Sequence, residues 1–450
     1  MFHPSIWTSI NPATLIMKKT IFIVLALLIS PLHAADKNEA SPSIAEALQR
    51  AAQEHRPVLI DFQAVWCYSC YYMASHVLNG PQWKAVEDKA IFVEADADSP
   101  EGQQWMQKLK VTFLPSYVVL NEQGTELGRI LAEQPRQKFF PKINAILASG
   151  NTLDSLKTKA NGGSIEAAAT VLDAYQARAE GDAGLAWYAT LPPAVRKEAA
   201  GNTKVTLGLE RLDLLKAKAA NNDPGVIAGT EKVLAGDIGC DRPYVLDDLL
   251  EASEKLPDAQ RRALLATQRK SLDAYLTTNI FVATPACADQ RSAVLTSANL
   301  DAALGNHTAE AAVLDRAIDL TQRRLGNDLA SDRNLADNLR VYLARAKRTA
   351  ELDAYQRKLI VAYPDDYVYA YRYGRSLVDA GNPEQALPWL EKAATKAYGA
   401  NRLTVASVQV KALRALHRQT DADKVVTDVL KDNGPWFPKQ VTQLKASLNS

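Results

Sequence analysis

The segment Val58-Leu59-Ile60-Asp61-Phe62, followed closely by Trp66-Cys67-Tyr68-Ser69-Cys70, decides the fold of the first part of this 450-residue chain. The first run is nearly continuously apolar, which is typical of a buried parallel strand. The two cysteines follow that strand and open a predicted helix. Cys67 would therefore sit at a helix N-terminus, where partial positive charge lowers a thiol pKa. Cys70, one helical turn further on, would resolve a mixed disulfide.

The Cys-x-x-Cys spacing also occurs in zinc sites, and the surrounding sequence argues against that alternative. No second cysteine pair and no histidine pair lies nearby at zinc-finger spacing. A copper site built with Met73 and His76 is also disfavoured, because nine residues of helix turn His76 about half a turn away from Cys67. We therefore predict a redox pair, with no metal and no cofactor.

Helix and strand patterns alternate on both sides of this pair. Ser43 is a predicted helix cap, and a turn at 121–124 predicts a terminal hairpin. The predicted helices span 44–52, 71–78, 101–110 and 135–147, and the predicted strands span 58–62, 90–96, 115–120 and about 126–130. This order predicts an α/β domain over residues 41–148.

These motifs, together with Val111-Thr112-Phe113-Leu114-Pro115, resemble the thioredoxin superfamily. The resemblance implies that Asp61 is a buried acid that exchanges a proton with the resolving thiol. It also implies that Pro115 is a cis-proline, next to which Leu114 holds an extended substrate strand. Trp66 would be a surface platform beside the nucleophile. The plainer alternatives are a solvated strand end for Asp61 and an ordinary trans turn for Pro115.

Within the superfamily, the segment is similar to exported modules such as the periplasmic C-terminal domain of DsbD-type interchange proteins. Tyr68 and Ser69 carry no positive charge, so the motif itself gives no reason to expect a very acidic Cys67. Glu94 occupies a strand position where thioredoxins often have a lysine. The membrane-spanning segments of those proteins have no counterpart here, so a membrane partner would have to supply the electrons.

The N-terminus carries the pattern of a secretory signal. Met17-Lys18-Lys19 precedes an apolar run at 21–29, and small residues follow up to Ala35. The run is shorter than the roughly 20 residues of a membrane span. We predict a signal peptide over 1–35, starting at 17, a periplasmic protein and no integral membrane segment after cleavage. An uncleaved anchor is the alternative.

The remaining cysteines are Cys240 and Cys287. In an oxidising compartment they would most simply form one structural disulfide. A second redox pair or two free thiols are the alternatives.

From about residue 150 onward, the sequence has only helical periodicity. The pattern Gly305-Asn306…Leu314…Ala317 returns as Gly381-Asn382…Leu390…Ala393, a separation that fits two units of about 38 residues. Together with Gly374, the second copy resembles a tetratricopeptide repeat, in which small residues let paired helices approach. We predict helices of uncertain type over 151–290 and a tetratricopeptide-like solenoid over 291–450.

Composition excludes some functions. The net charge is +1 and no basic run is present, so binding to DNA or other nucleic acid is not expected. The sequence predicts a periplasmic thiol–disulfide oxidoreductase acting on proteins with thiols or disulfides, as a reductase or isomerase rather than an oxidase. The helical repeats would bind clients or partners. The alternative is a repeat-based protein-binding scaffold or co-chaperone with an accessory thioredoxin-like domain.

Overall fold

A four-stranded mixed sheet is the centre of the first domain. The computed structural model describes residues 41–448, so the predicted signal at 1–35 lies outside the described residues. The strands are β1 Val58–Gln63, β2 Ile91–Asp96, β3 Ser116–Leu120 and β4 Glu126–Leu131, and the helices are α1 Ile44–Glu54, α2 Tyr68–His76, α3 Gly80–Glu87, α4 Pro100–Leu109 and α5 Arg136–Ser149. The strand order is β2-β1-β3-β4, in which β1 is parallel to β2 and antiparallel to β3. The predicted thioredoxin-type α/β fold is confirmed.

The central strand β1 is buried on both faces, because alternate side chains enter two different cores. Ile60 packs on one face with residues of α1 such as Ala47. Leu59 packs on the other face with Met73 of α2 and Phe139 of α5. This two-sided burial explains why the sequence of β1 is apolar with little alternation.

Two local elements differ from the sequence prediction. Helix α2 begins at Tyr68 rather than Tyr71, because Cys67 acts as its cap and its Sγ accepts a hydrogen bond from the Cys70 amide at 3.1 Å. Helix α3 was not predicted. A Gly80-Pro81 pair suggests a turn, yet a proline is also well suited to the first turn of a helix, and here it starts α3.

The rest of the described chain is helical. No helix between residues 41 and 448 is long and apolar enough to span a membrane. The helices are α6 Leu153–Asn161, α7 Ile165–Gln176, α8 Gly181–Ala189, α9 Pro193–Ala199, α10 Thr203–Ala219, α11 Asp223–Ala235, α12 Arg242–Ala252, α13 Asp258–Tyr275, α14 Gln290–Leu304, α15 His307–Leu325, α16 Arg333–Arg345, α17 Thr349–Ala362, α18 Val368–Asp379, α19 Pro383–Ala394, α20 Gly399–Ala415, α21 Gln419–Asn433 and α22 Pro438–Ser447.

Neighbouring helices pair as hairpins, as the helical-repeat prediction requires. Gly305 and Gly381 follow the first helix of the pairs α14–α15 and α18–α19, and both have φ of 76°. A Cβ atom on Gly374 would lie 2.8 Å from Leu390 Cγ, so the glycine allows α18 and α19 to approach closely. The fold is therefore a thioredoxin-type domain followed by helical repeats.

A disulfide joins Cys240 and Cys287, with an Sγ–Sγ distance of 2.05 Å. It connects the turn after α11 to the segment that leads into α14. The connection therefore holds together two parts of the helical region that are well separated along the chain.

The helical region packs directly against the α/β domain. Helix α16 lies against α2, which carries the cysteine pair. The start of α20 meets the turn after β2, where the Ala400 amide donates a hydrogen bond to the Asp98 carbonyl at 3.1 Å. Gly399 has φ of 52°, and a Cβ atom there would lie only 2.0 Å from the Asp98 oxygen. From Ser41 onward, the two regions form one compact unit.

This contact predicts that Gly399→Ala destabilises the protein more than Gly381→Ala does. Both glycines have positive φ, so both variants incur a similar backbone cost of about 1–2 kcal/mol. Only Gly399 adds a clash with Asp98, for which overpacking costs about 1–3 kcal/mol more. Urea denaturation of both variants measures the difference. Equal losses would contradict the close contact at Asp98.

Candidate redox site

The cysteine pair forms a disulfide at the N-terminus of α2. The Sγ atoms of Cys67 and Cys70 are 2.11 Å apart. Cys67 is 4% exposed and Cys70 is 8% exposed, so Cys67 presents only a small surface to an incoming thiol. The N-terminus of α2 contributes partial positive charge to Cys67, which favours its thiolate once the disulfide is reduced.

Asp61 is a buried acid on the side of the sheet that faces α2. It is 4% exposed, and alternation along β1 places it on the same face as Leu59, which packs with Met73. Burial, and secondarily the negative charge of Glu94 at the paired position of β2, raise the pKa of Asp61 well above its ordinary value. A carboxyl group in this position can give a proton in its acid form and take one in its ionised form, near the cysteine pair.

The loop before β3 borders the cysteine pair. The Leu114–Pro115 peptide bond is cis, and the Pro115 carbonyl accepts a hydrogen bond from the Ala132 amide at 2.9 Å. Leu114 packs against the small cluster that contains Cys67 and Cys70. Phe113 is 42% exposed. The loop therefore presents an exposed aromatic side chain and the backbone before Pro115 beside the disulfide.

Trp66 is exposed on one side and held firmly on the other. Trp66 is 40% exposed, and its Nε1 donates a hydrogen bond to Asp98 Oδ2 at 2.7 Å. Burial raises the pKa of Asp98 to about 6, although hydrogen bonds from Asn401 and Trp66 oppose this shift. The predicted platform is thus fixed to the same turn that contacts α20.

The helical region supplies contacts to Tyr68, the first residue between the cysteines. The Tyr68 hydroxyl lies 3.3 Å from Asp289 Oδ2 and 3.4 Å from Ser292 Oγ. The guanidinium of Arg291 lies over the Tyr68 ring, 3.7 Å from its centroid, a cation–π arrangement. Tyr68 therefore anchors the redox motif in the helical region.

Two further contacts hold the backbone on either side of Cys67. Asn334 Nδ2 donates a hydrogen bond to the Tyr68 carbonyl at 2.8 Å. Arg372 Nη2 donates one to the Trp66 carbonyl at 2.9 Å. These residues come from α16 and α18, far from the motif in sequence. Sequence reasoning missed them. A signal was present, because the polar residues Asn334, Asp337 and Asn338 follow the i, i+3, i+4 spacing that places them on one face of α16.

A second buried acid, Glu133, lies at the end of β4 near Ser69. It is 6% exposed. Burial, and then the negative charge of Asp289, raise the pKa of Glu133 to about 8, while the Ser69 hydroxyl opposes the shift. Glu133 is therefore protonated at neutral pH. No sequence motif marks this residue, because its effect depends on Asp289 in the helical region.

Met73 and His76 point into different surroundings. Met73 is fully buried in the core beneath α2. His76 Nε2 lies 2.8 Å from Asp332 Oδ2 of the helical region. Within residues 41–448, no group of three or more His, Cys, Asp or Glu side chains is placed to hold a metal ion.

Comparison with known proteins supports the α/β part of this description. Residues 39–122 match a family model described as thioredoxin-like. The chloroplast thioredoxin-like protein HCF164 of Arabidopsis thaliana is 27% identical over 105 residues, which are 23% of this chain and 40% of that protein. The thiol:disulfide interchange protein DsbD of Neisseria meningitidis is 32% identical over 98 residues, which are 21% of this chain and 16% of that protein. The chain thus spans well under two thirds of these relatives, and it carries a thioredoxin-like domain with a Cys-x-x-Cys pair.

A tetratricopeptide repeat protein from Parabacteroides merdae aligns with 65% of this chain and 98% of its own length, at 12% identity and a TM-score of 0.37.

The raised pKa of Glu133 predicts a pH-dependent stability that Glu133→Gln removes. The unfolded glutamate ionises near its ordinary pKa of 4.5, whereas the folded one stays protonated up to about pH 8. Between these values the folded protein holds one proton more than the unfolded chain. As the pH rises, the free energy of unfolding of the wild type should therefore fall by about 1.4 kcal/mol per pH unit relative to that of the variant.

Urea unfolding between pH 5.5 and pH 9 measures this difference. The difference in the free energy of unfolding between wild type and Glu133→Gln should grow up to about pH 8 and then become constant. The exposed Glu166→Gln, in α7, is the control and should follow the wild type. Parallel curves for Glu133→Gln and the wild type would contradict the assignment.

Proposed function

We propose that this protein is a periplasmic thiol–disulfide oxidoreductase that acts on protein disulfides through Cys67 and Cys70. One observation carries the proposal. The disulfide lies at the N-terminus of α2, with buried Asp61 on the same face of the sheet and the cis Leu114–Pro115 loop beside it. The thioredoxin-like family model over residues 39–122 and the relatives named thiol:disulfide interchange proteins support the proposal.

In the reductive direction, the Cys67 thiolate attacks one sulfur of a client disulfide. The client bond breaks, a mixed disulfide forms at Cys67, and the other client sulfur leaves as a thiolate that takes a proton from water. Cys70 then loses its proton to ionised Asp61 and attacks Cys67 Sγ. The second client sulfur leaves, and the Cys67–Cys70 disulfide forms. Two electrons pass from the cysteine pair to the client.

A dithiol donor must then restore the reduced pair, and we assign this role to a membrane partner. We propose the reductase or isomerase direction rather than the oxidase one, and relatives named thiol:disulfide interchange proteins support the exchange reaction itself. The direction is thus part of the proposal, since neither Tyr68 nor Ser69 fixes it.

The client-binding surface in this proposal consists of Trp66 and the loop at Phe113 and Leu114. A client segment would pair with the backbone before Pro115 and place its cysteine at Cys67. Tyr398 of the helical region, which is 44% exposed, donates a hydrogen bond to Asp96 close to this surface. It favours a contribution of the repeats to client or partner binding. The surfaces of α16 and α18 that contact α2 and the Trp66 carbonyl are covered by these contacts, so this proposal does not use them for client binding.

We also propose that residues 1–35 are a cleaved signal and that the protein acts in the periplasm. The Cys240–Cys287 disulfide supports an oxidising compartment. The proposed division places the thioredoxin-like domain at 41–148 and the two helical segments at 151–290 and 291–450.

Purified mature protein should catalyse the reduction of insulin by dithiothreitol, and Cys67→Ser should lower the rate to that of the uncatalysed reaction. The serine hydroxyl cannot act as a thiolate at neutral pH, so no mixed disulfide can form. The double variant Cys240→Ser/Cys287→Ser is the matched control and should retain turnover. A wild type that suppresses client aggregation but reduces no insulin would instead favour the scaffold function.

Cys70→Ser should trap clients as covalent mixed disulfides at Cys67, because the resolving thiol is absent. Non-reducing gels of envelope extracts would show adducts that reductant removes. The variant that lacks both Cys67 and Cys70 should show none. Trapping by Cys67→Ser rather than by Cys70→Ser would reverse the proposed roles.

A further inference from the structure

A continuous path of polar contacts, buried at its centre, links the two peptide carbonyls that flank Cys67. It starts at the Trp66 carbonyl and returns to the Tyr68 carbonyl, and every side chain on it belongs to the helical region. The steps are Arg372 Nη2 to Trp66 O at 2.9 Å, Arg372 Nη1 to Asp337 Oδ1 at 2.6 Å, Arg291 Nη2 to Asp337 Oδ2 at 2.6 Å, Arg291 Nε to Asn338 Oδ1 at 2.7 Å, Asn338 Nδ2 to Asn334 Oδ1 at 3.1 Å and Asn334 Nδ2 to Tyr68 O at 2.8 Å.

The charges of this path do not balance. Asp337 is fully buried and pairs with Arg291 and Arg372, and also with Arg340, whose Nε lies 2.9 Å from Asp337 Oδ1. Although burial opposes it, the charges of these arginines hold the pKa of Asp337 far below its ordinary value. Arginine remains protonated in proteins. Three positive charges therefore face one negative charge beside the redox motif.

Other acids near Cys67 compensate for this excess only in part. Asp61 on β1, with Glu94 behind it on β2, and Glu133 after β4 all lie on the α/β side. Burial raises the pKa of Asp61 above its ordinary value and that of Glu133 to about 8, which reduces the negative charge that these two acids contribute. Asp98, bonded to Trp66, has its pKa raised to about 6 by burial.

In the helical region, Asp289 lies on the side of Tyr68 and Arg291. It accepts hydrogen bonds from the hydroxyls of Tyr68 and Tyr244. Arg372 is on the opposite side, at the Trp66 carbonyl. Among residues 41–448, its ion pair is with Asp337, which it shares with two further arginines. Arg372 is thus the member of this positively charged group that bonds to the peptide carbonyl directly before Cys67.

We propose that Arg372, oriented by Asp337, is a positioning residue that stabilises the Cys67 thiolate. The inference rests on the proposed redox function and extends it. When a dithiol donor supplies two electrons, the Cys67–Cys70 bond breaks and the donor becomes a disulfide. One donor proton ends on Cys70, the other passes to water, and Cys67 remains a thiolate. This thiolate supplies the negative charge that the arginines lack in the oxidised protein.

The proposal also revises the expectation drawn from the motif. Tyr68 and Ser69 carry no positive charge, which predicted an unremarkable Cys67. In this proposal the positive charge beside Cys67 comes from α18. Arg372 lies 306 residues after Trp66 in sequence, yet it donates a hydrogen bond to the Trp66 carbonyl. A separate helical region thus does what a charged residue between the cysteines does in other proteins.

The thiol pKa of Cys67 tests the proposal in the full chain. In the Cys70→Ser background, with Cys240–Cys287 left oxidised, Cys67 is the one free thiol. Its rate of alkylation by iodoacetamide as a function of pH reports the thiolate. Arg372→Met should lower the acidity constant of Cys67 about tenfold. Arg372→Lys, which keeps the charge, should stay within about threefold of the wild type.

Arg375→Met is the matched control, because Arg375 is an exposed arginine on the same helix, paired with Asp379. It should leave the Cys67 pKa unchanged. The proposal is overturned if Arg372→Met leaves the pKa unchanged, or if Arg372→Lys or Arg375→Met shifts it as much as Arg372→Met does. An unchanged Cys67 pKa in Arg372→Met excludes an effect of this charge on Cys67. An equal shift in Arg372→Lys or Arg375→Met shows that the change in the Cys67 pKa is not specific to the charge of Arg372.

The glutathione equilibrium of the protein with both cysteines gives a second readout. Above the thiol pKa values, Arg372→Met should shift the equilibrium about tenfold toward the disulfide, which is about 30 mV for a two-electron couple. In acid, where both proteins hold thiols, the difference should vanish. A difference that persists in acid would overturn the proposal. Neither measurement uses a protein client. A protein that fails to reduce insulin would therefore contradict the proposed function, while the inference about Arg372 would still be decided by the thiol pKa and the glutathione equilibrium.

Discussion

Two hydrogen bonds from the helical region hold the peptide groups on either side of Cys67, and the arrangement of the whole protein depends on them. Asn334 and Arg372 bond to the carbonyls of Tyr68 and Trp66. Their side chains are in turn fixed by the buried Asp337 and Asn338. A buried charged network of this kind is costly unless all of its members are paired. The α/β domain and the helices are therefore committed to one relative arrangement around the redox pair.

This arrangement determines which surfaces of the thioredoxin-like domain are exposed around the cysteine pair. Helix α2, which carries the cysteine pair, is covered by α16 instead of water. Cys67 and Cys70 are almost fully buried, and the exposed aromatic residues Trp66 and Phe113 lie beside them. A client is therefore expected to approach past these aromatic residues. The helical region, which the sequence suggested as a separate binding scaffold, uses part of its surface to hold its own redox domain.

The sequence predicted those parts of the site that depend on short-range pattern. The α/β order and the position of the cysteine pair are set by residues close together in the chain, and burial of β1 on both faces appears as an apolar run. Asp61 and the cis bond before Pro115 lie where the superfamily resemblance placed them, while their roles in the reaction stay proposals.

The remaining parts depend on packing between distant segments. The raised pKa of Glu133 comes first from burial and then from the negative charge of Asp289, a residue of the helical region that is distant in sequence. Arg372 reaches Trp66 across hundreds of residues, and no local pattern encodes which surface of a helical hairpin will meet another domain. Helix α3 was missed for a different reason, since Gly80-Pro81 fits both a turn and the first turn of a helix.

The reduction potential of the Cys67–Cys70 pair in the full wild-type chain, measured against pH, shows whether Cys67 remains a thiolate after reduction. While both thiols are protonated on reduction, the potential falls by about 30 mV per pH unit for each of two protons. Once Cys67 remains a thiolate, only one proton is taken up and the slope halves. If Arg372 stabilises the Cys67 thiolate, this break occurs well below the ordinary cysteine pKa of about 8.5. A break at or above that value, or a pair that glutathione does not reduce, would contradict this stabilisation.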